Sequence, residues 1–177
     1  MKSEQAVPQA ASREQRFVAG VIERCRQDKG LAAKLRRADN PATEYQSWDL
    51  LASYGINLEL DSERLPFACV AAAIAKAKIH SNGNLSLGQA IAACYPDGNQ
   101  SDQAKARLRR LLACDDLVEL CRLLRPVLTL IDSRVAQALN YENLLVQLRR
   151  FQFAPQQVKA QWAQAFYGYQ AKAGEVE

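Results

Sequence analysis

A chain of 177 residues with 49% hydrophobic, 7% aromatic and 24% charged side chains can build one buried core, and it excludes collagen-like, disordered or membrane-spanning polypeptides. The formal net charge of +4 leans toward polyanionic partners but falls well short of a histone-like binder. The excess is uneven: residues 1–60 scatter Glu and Asp among their cations, whereas between Lys105 and Arg150 basic side chains outnumber acidic ones.

Met1 to Ala11 is small, polar and Pro-containing, and a flexible N-terminus is expected over 1–11. Order should begin near Ser12. Phe17, Val18, Val21, Ile22 and Cys25 then recur at helical spacing as far as Lys29-Gly30, and a short basic piece, Leu31 to Arg37, follows. Asn40-Pro41 predicts an N-cap and first helical position for a helix running to about Tyr54. Asp61 or Ser62 should cap the Ala-rich helix reaching Ile79, with Pro66 tolerated in its first turn and the alanines implying close packing.

Ser81 to Asn84 reads as loop. In Ser86-Leu87-Gly88-Gln89, Ser86 and Gln89 have the spacing of a capping box, opening a short helix that ends near Pro96. Ser101–Ala113 and Asp116–Ile131 are the strongest helical patterns, with Pro126 expected to kink or split the second. Tyr141–Phe151 and Pro155–Tyr169 complete the chain, the last carrying Trp162 and Phe166 four residues apart. With no period-two alternation bounded by turns, the fold class is all-α, a single compact bundle of about seven or eight helices over 12–170, with a flexible C-terminus at 171–177.

Catalytic chemistry needs convergent titratable groups, and the sequence lacks them. His80 stands alone in a polar loop, and no Ser-His-Asp, H-E-x-x-H, phosphate-loop or G-x-G-x-x-G pattern is present. The acidic pair Asp115-Asp116 occupies the cap and first-turn place before an apolar run. Cys25, Cys69, Cys94, Cys114 and Cys121 are an odd set without C-x-x-C spacing, so no zinc site is expected, and the thiols read as small apolar side chains in a reducing cytoplasm. Met1 to Ser12 lacks the apolar stretch of a signal peptide, and no apolar run is long enough to span a membrane. A non-enzymatic cytoplasmic protein without cofactor, metal or membrane partner is expected.

The cations carry more information. In the stretch Lys105 to Arg110, Arg107 and Arg110 lie three apart on one shoulder of the leucine stripe, and Lys105 and Arg109 four apart on the other. Arg122 and Arg125 repeat the three-residue spacing, while Arg36-Arg37 and Arg149-Arg150 add two pairs. Each pair also fits a solvated helix face with local ion pairs. Arginine predominates, and its planar fork suits bidentate phosphate contacts. No recognition helix or interleaved aromatic stacking motif accompanies it, so any nucleic-acid contact should be to the backbone.

The run Asn84-Leu85-Ser86-Leu87-Gly88-Gln89-Ala90-Ile91-Ala92, the stretch Ala106 to Ala113, Glu119 to Arg125, and the ending Leu139 to Leu145 through Trp162 to Tyr167 together resemble the CasB family over roughly residues 12–169. CasB proteins are helical small subunits of the type I-E CRISPR Cascade complex. The resemblance implies a non-catalytic subunit that assembles beside other Cascade subunits and a second copy of itself, contacting the backbone of CRISPR RNA and target DNA to support guide–target pairing and the displaced strand. It carries nucleic-acid binding most closely onto Arg107 and Arg122, and less directly onto Arg37, Arg64 and Arg110; Arg125 joins these candidates through its three-residue spacing from Arg122. Where many members have an arginine after the Ser-Leu-Gly turn, this chain has Gln89, so a contact made by that arginine would be absent. The competing expectation is a helical interaction adaptor whose basic faces dock acidic partners and whose interface is marked by exposed Tyr167 and Tyr169.

Overall fold

The computed structural model describes residues 9–171, and the parts of the expected flexible ends at 1–8 and 172–177 lie outside the described residues. Among the described residues there are nine α-helices: α1 (Arg13–Gln27), α2 (Lys29–Arg37), α3 (Trp48–Ser53), α4 (Asp61–Ala77), α5 (Leu87–Ala93), α6 (Asp102–Leu112), α7 (Leu117–Arg134), α8 (Tyr141–Phe151) and α9 (Pro155–Tyr167). The basic piece after Gly30 is thus part of a helix of its own, set off from α1 by Asp28, whose carboxylate accepts from the amides of Gly30 and Leu31. No strand forms among the described residues, and the nearest approach to one is an isolated parallel bridge between Leu85 and Leu139.

The architecture follows from α4. Every residue from Leu65 to Ala75 is buried, and a helix apolar on all sides must lie inside. It packs against α1, α2, α7 and α8, and its run of alanines lets those neighbours approach closely. A second layer forms where α5 lies on α9, with α6 against both. Gly88 sets that contact: a Cβ there would fall 2.2 Å from the carbonyl oxygen of Trp162. The predicted Ser86–Gln89 capping box closes the same turn, Ser86 N donating to Gln89 Oε1 at 3.1 Å and Gln89 N to Ser86 Oγ at 3.5 Å.

Four local expectations change. Asn40 does not open a helix. Its side chain accepts from the Ala42 amide at 2.8 Å, a competing turn, and the chain continues through a 3₁₀ turn at Glu44–Ser47 into the short α3. Asp61 is the first residue of α4 rather than its cap, and its carboxylate pairs with Arg64 one turn on, which places Pro66 in the second turn. Pro126 does not split α7, which runs unbroken to Arg134. The proline ring faces solvent while Leu124, Val127, Leu128 and Ile131 hold the helix in the core. Finally, α9 stops at Tyr167, and Tyr169 turns back beside Gly98, where its carbonyl accepts from Asn99 Nδ2, so Tyr167 alone of that pair is exposed.

Candidate nucleic-acid interface

The six arginines singled out from the sequence divide into two kinds. Arg125 points inward: its side chain is 8% exposed, donating to the Ala38 carbonyl at 3.3 Å and pairing with Asp39 at 3.3 Å and Glu44 at 3.4 Å. Glu44 is itself buried, and its other oxygen takes Arg64 Nε at 2.9 Å. Arg64 also reaches the Leu58 carbonyl at 2.6 Å and Asp61 at 2.5 Å. Desolvation works to lower the Arg64 guanidinium, but hydrogen bonds and charge from Glu44 and Asp61 outweigh it and hold it above its ordinary value. Lys76 closes the network through Asp39 and Thr129. These groups tie α2, the 3₁₀ turn, α4 and α7 together.

Arg122 and Arg125 therefore do not form a pair on one face. Arg125 falls between the core residues Cys121, Leu124 and Leu128, whereas Arg122 is exposed, with only a 3.7 Å approach to Glu119. Glu44, which organises the inner network, carries no sequence signal of its role: its arginine partners lie 20 and 81 residues away.

Of the outward kind, Arg107 and Arg110 come together where α6 meets α7, and Arg122 stands on α7 outside the groove lining. Arg107, Arg110, Leu111, Leu123, Pro126 and Val127 line a shallow groove of about 80 Å³. Arg107 Nε donates to the Tyr95 hydroxyl at 2.6 Å, which fixes the base of its side chain and leaves the two terminal amino groups of the fork free of hydrogen bonds within the described structure. Across the Tyr95 ring, 5.2 Å from its centroid, sits the guanidinium of Arg134, the last residue of α7. Arg134 is a member of this cluster that the sequence did not indicate, because only the packing of α5 against α7 brings Tyr95 and Arg134 together.

Lys105, Arg107, Arg109 and Arg110 form no ion pair among the described residues. Asp102 is the one acid of α6 and lies in its first turn, where it complements the helix dipole. The exposed part of α6 is thus a strip of uncompensated positive charge. Arg37, at the end of α2, is also exposed, contacts only Gln46 at 3.5 Å, and lies outside the groove lining. Such a surface can hold phosphates through charge and bidentate hydrogen bonds, and it offers no set of groups for reading base edges.

The lone His80 is exposed in its loop, and the five cysteines are free thiols, four of them buried. No helix of the described residues is long and apolar enough to cross a membrane. The family model for CRISPR-associated protein Cse2 matches residues 31–167. CasB from M. ruber is 27% identical, with a TM-score of 0.68 over 89% of this chain and 93% of that one. A CRISPR-associated protein of the Cse2 family from Thermus thermophilus is 22% identical, with a TM-score of 0.68 over 89% of this chain and 99% of its own. CasB from Thermobifida fusca is 20% identical, with a TM-score of 0.69 over 90% and 100% of the two chains. No curated protein sequence matches the chain. On the match that spans α2 to α9, the chain belongs to the CRISPR-associated Cse2 family, whose solved members include CasB proteins of the same helical fold.

Proposed function

We propose that the chain is a non-catalytic small subunit of the Cascade surveillance complex, holding nucleic-acid backbone along α6 and the α6–α7 groove while base pairing with the guide supplies sequence specificity. The observation that carries this reading is the strip Lys105–Arg110, which gathers four cations that form no ion pair among the described residues, whereas Arg64, Arg125 and Arg149 are neutralised by carboxylates inside the fold. Arg107, Arg110 and Arg122 are the proposed phosphate contacts, with Arg37 on a separate part of the surface. Arg64 and Arg125 are left out because their guanidinium groups are engaged inside the fold. Exchange of a DNA duplex for an RNA–DNA duplex is nearly balanced, so a few backbone contacts suffice to bias it. Other Cascade subunits and a second copy of this chain are the expected neighbours.

The test is the double substitution Arg107→Ala with Arg110→Ala. It should weaken binding to all sequences alike and flatten the salt slope by roughly one unit for each lost contact, with the melting temperature lowered only as far as Tyr95→Phe, which removes the same Arg107–Tyr95 hydrogen bond, lowers it. In a reconstituted complex the variant should assemble but retain opened target DNA less well. A variant that fails to assemble while keeping its nucleic-acid affinity and salt slope would make this surface a protein interface, and the adaptor reading would replace the present one.

A further inference from the structure

A second cavity lies away from the groove and shares no lining residue with it. It measures about 430 Å³ and is lined by Cys25, Arg26 and Lys29 from α1 and α2, Ala32 and Arg36 from α2, Ile74 and Ala75 from α4, and Lys78, Ile79 and His80 beyond the end of α4. Its floor is apolar and its rim basic. No carboxylate lines it: Asp28 nearby is occupied in capping α2, and Glu23 in pairing with Arg26 at 2.9 Å. Asp132 feels the charge of Lys78 but is not part of the lining. Lys29 and Lys78 are exposed and form no ion pair among the described residues, while Arg36 donates only one bond, to the Ala75 carbonyl at 3.3 Å. Lys78 is also the one non-glycine residue with positive φ (52°) among the described residues, a conformation that ends α4 and turns the chain along the rim.

A cavity of this size falls in the range that encloses small organic ligands. The ligand must carry negative charge to match Lys29, Arg36 and Lys78 beside His80, Arg26 being paired with Glu23, and it must carry a weakly polar body to cover Ala32, Ala75 and the two isoleucines. Inorganic phosphate satisfies the first requirement only. A fatty acid, with its single carboxylate, would leave most of these cations unmatched. We propose that this pocket binds one phosphorylated nucleoside, its base on the apolar floor and its phosphate among Lys29, Arg36, Lys78 and His80. The nucleoside can come from free nucleotide or from an unstacked unit of a strand. The proposal does not depend on the α6–α7 surface.

The experiment uses the full chain and titrates adenosine 5′-monophosphate, adenosine and inorganic phosphate separately by calorimetry. The monophosphate should bind more tightly than either of the others, and Lys29→Gln with Lys78→Asn should weaken it by about tenfold or more with an unchanged melting temperature. Asparagine is chosen at position 78 because it tolerates the left-handed backbone. Bound monophosphate should also slow alkylation of Cys25, the one half-buried thiol among four buried ones. A 5′-phosphorylated trinucleotide that binds more tightly than the monophosphate, with the same dependence on Lys29 and Lys78, assigns the pocket to a strand; equal or weaker binding assigns it to free nucleotide. Arg107→Ala with Arg110→Ala should leave these titrations unchanged, so the two surfaces stand or fall separately. The proposal is overturned if the monophosphate binds no better than phosphate, or if the lysine substitutions do not weaken it.

Discussion

Two arginines three residues apart on α7 have opposite fates because a turn of helix separates a solvent shoulder from a core edge. Arg125, its side chain 8% exposed, balances Asp39 and Glu44, whereas Arg122, 67% exposed, balances only a distant Glu119. Removing Arg125 takes one partner each from Asp39 and Glu44, which keep Lys76 and Arg64, and Arg125→Ala should cost about 1–3 kcal/mol in urea denaturation. Arg122→Ala should stay within about 0.5 kcal/mol. Binding should show the reverse order: Arg122→Ala weakens nucleic-acid affinity, while refolded Arg125→Ala retains it. Equal stability losses would contradict this division. From the sequence the two residues read alike, since helical spacing gives an angle around the axis but not how deep the stripe of buried residues extends.

Among the elements, those read most directly from the sequence carry their own signals. The Ser86–Gln89 box is local chemistry, with four residues settling it, and Ser86→Ala should lower stability by about 1 kcal/mol without changing binding. Gly88→Ala should cost more, about 1–3 kcal/mol, because its methyl would meet the backbone of α9 rather than a side chain that can move. Thermal melts with binding isotherms on the same samples separate the two effects, and lost affinity at an unchanged melting temperature would make the turn a contact surface. The segment from Asn40 to Leu60 was not legible in the same way. Asn40 offers the backbone a turn as readily as a helix start, and Glu44 is drawn inward by Arg64 and Arg125 from α4 and α7, so tertiary charge pairing decides where α3 begins. For the same reason the outline of the α6 strip could be read from spacing, but the Tyr95–Arg134 contact beside it could not.

At the scale of the whole molecule, ionised carboxylates hold the outer helices to the central one. Glu63 on α4 is kept below its usual range chiefly by the Asn57 amide, against desolvation, with help from Arg13 and Arg149. For Glu14 on α1, burial pushes upward, but its backbone hydrogen bond and Arg149 prevail and lower it. A folded value below the unfolded one means stability that is present above the unfolded value, near pH 4.3, and is lost as pH falls through the folded value. The melting temperature should therefore drop below about pH 4.5, and Glu63→Gln should flatten that drop while lowering stability at neutral pH. Asp132, raised by burial, opposes the trend and softens it. An acid limb unchanged by the substitution would remove Glu63 from the account.

The position of α4 in the chain has a consequence for synthesis. The central helix, buried from Leu65 to Ala75, leaves the ribosome before α7 and α8, two of the helices that cover it. The α5 turn likewise waits for α9, made more than sixty residues later, to meet Gly88. Early in its life the chain thus displays an alanine-rich apolar rod against which α1, α2 and α3 can pack but α7 and α8 cannot yet. Completion of the core is deferred until α9 has been made, so a chain ended before it is left with an uncovered apolar surface and becomes a substrate for chaperones and proteases.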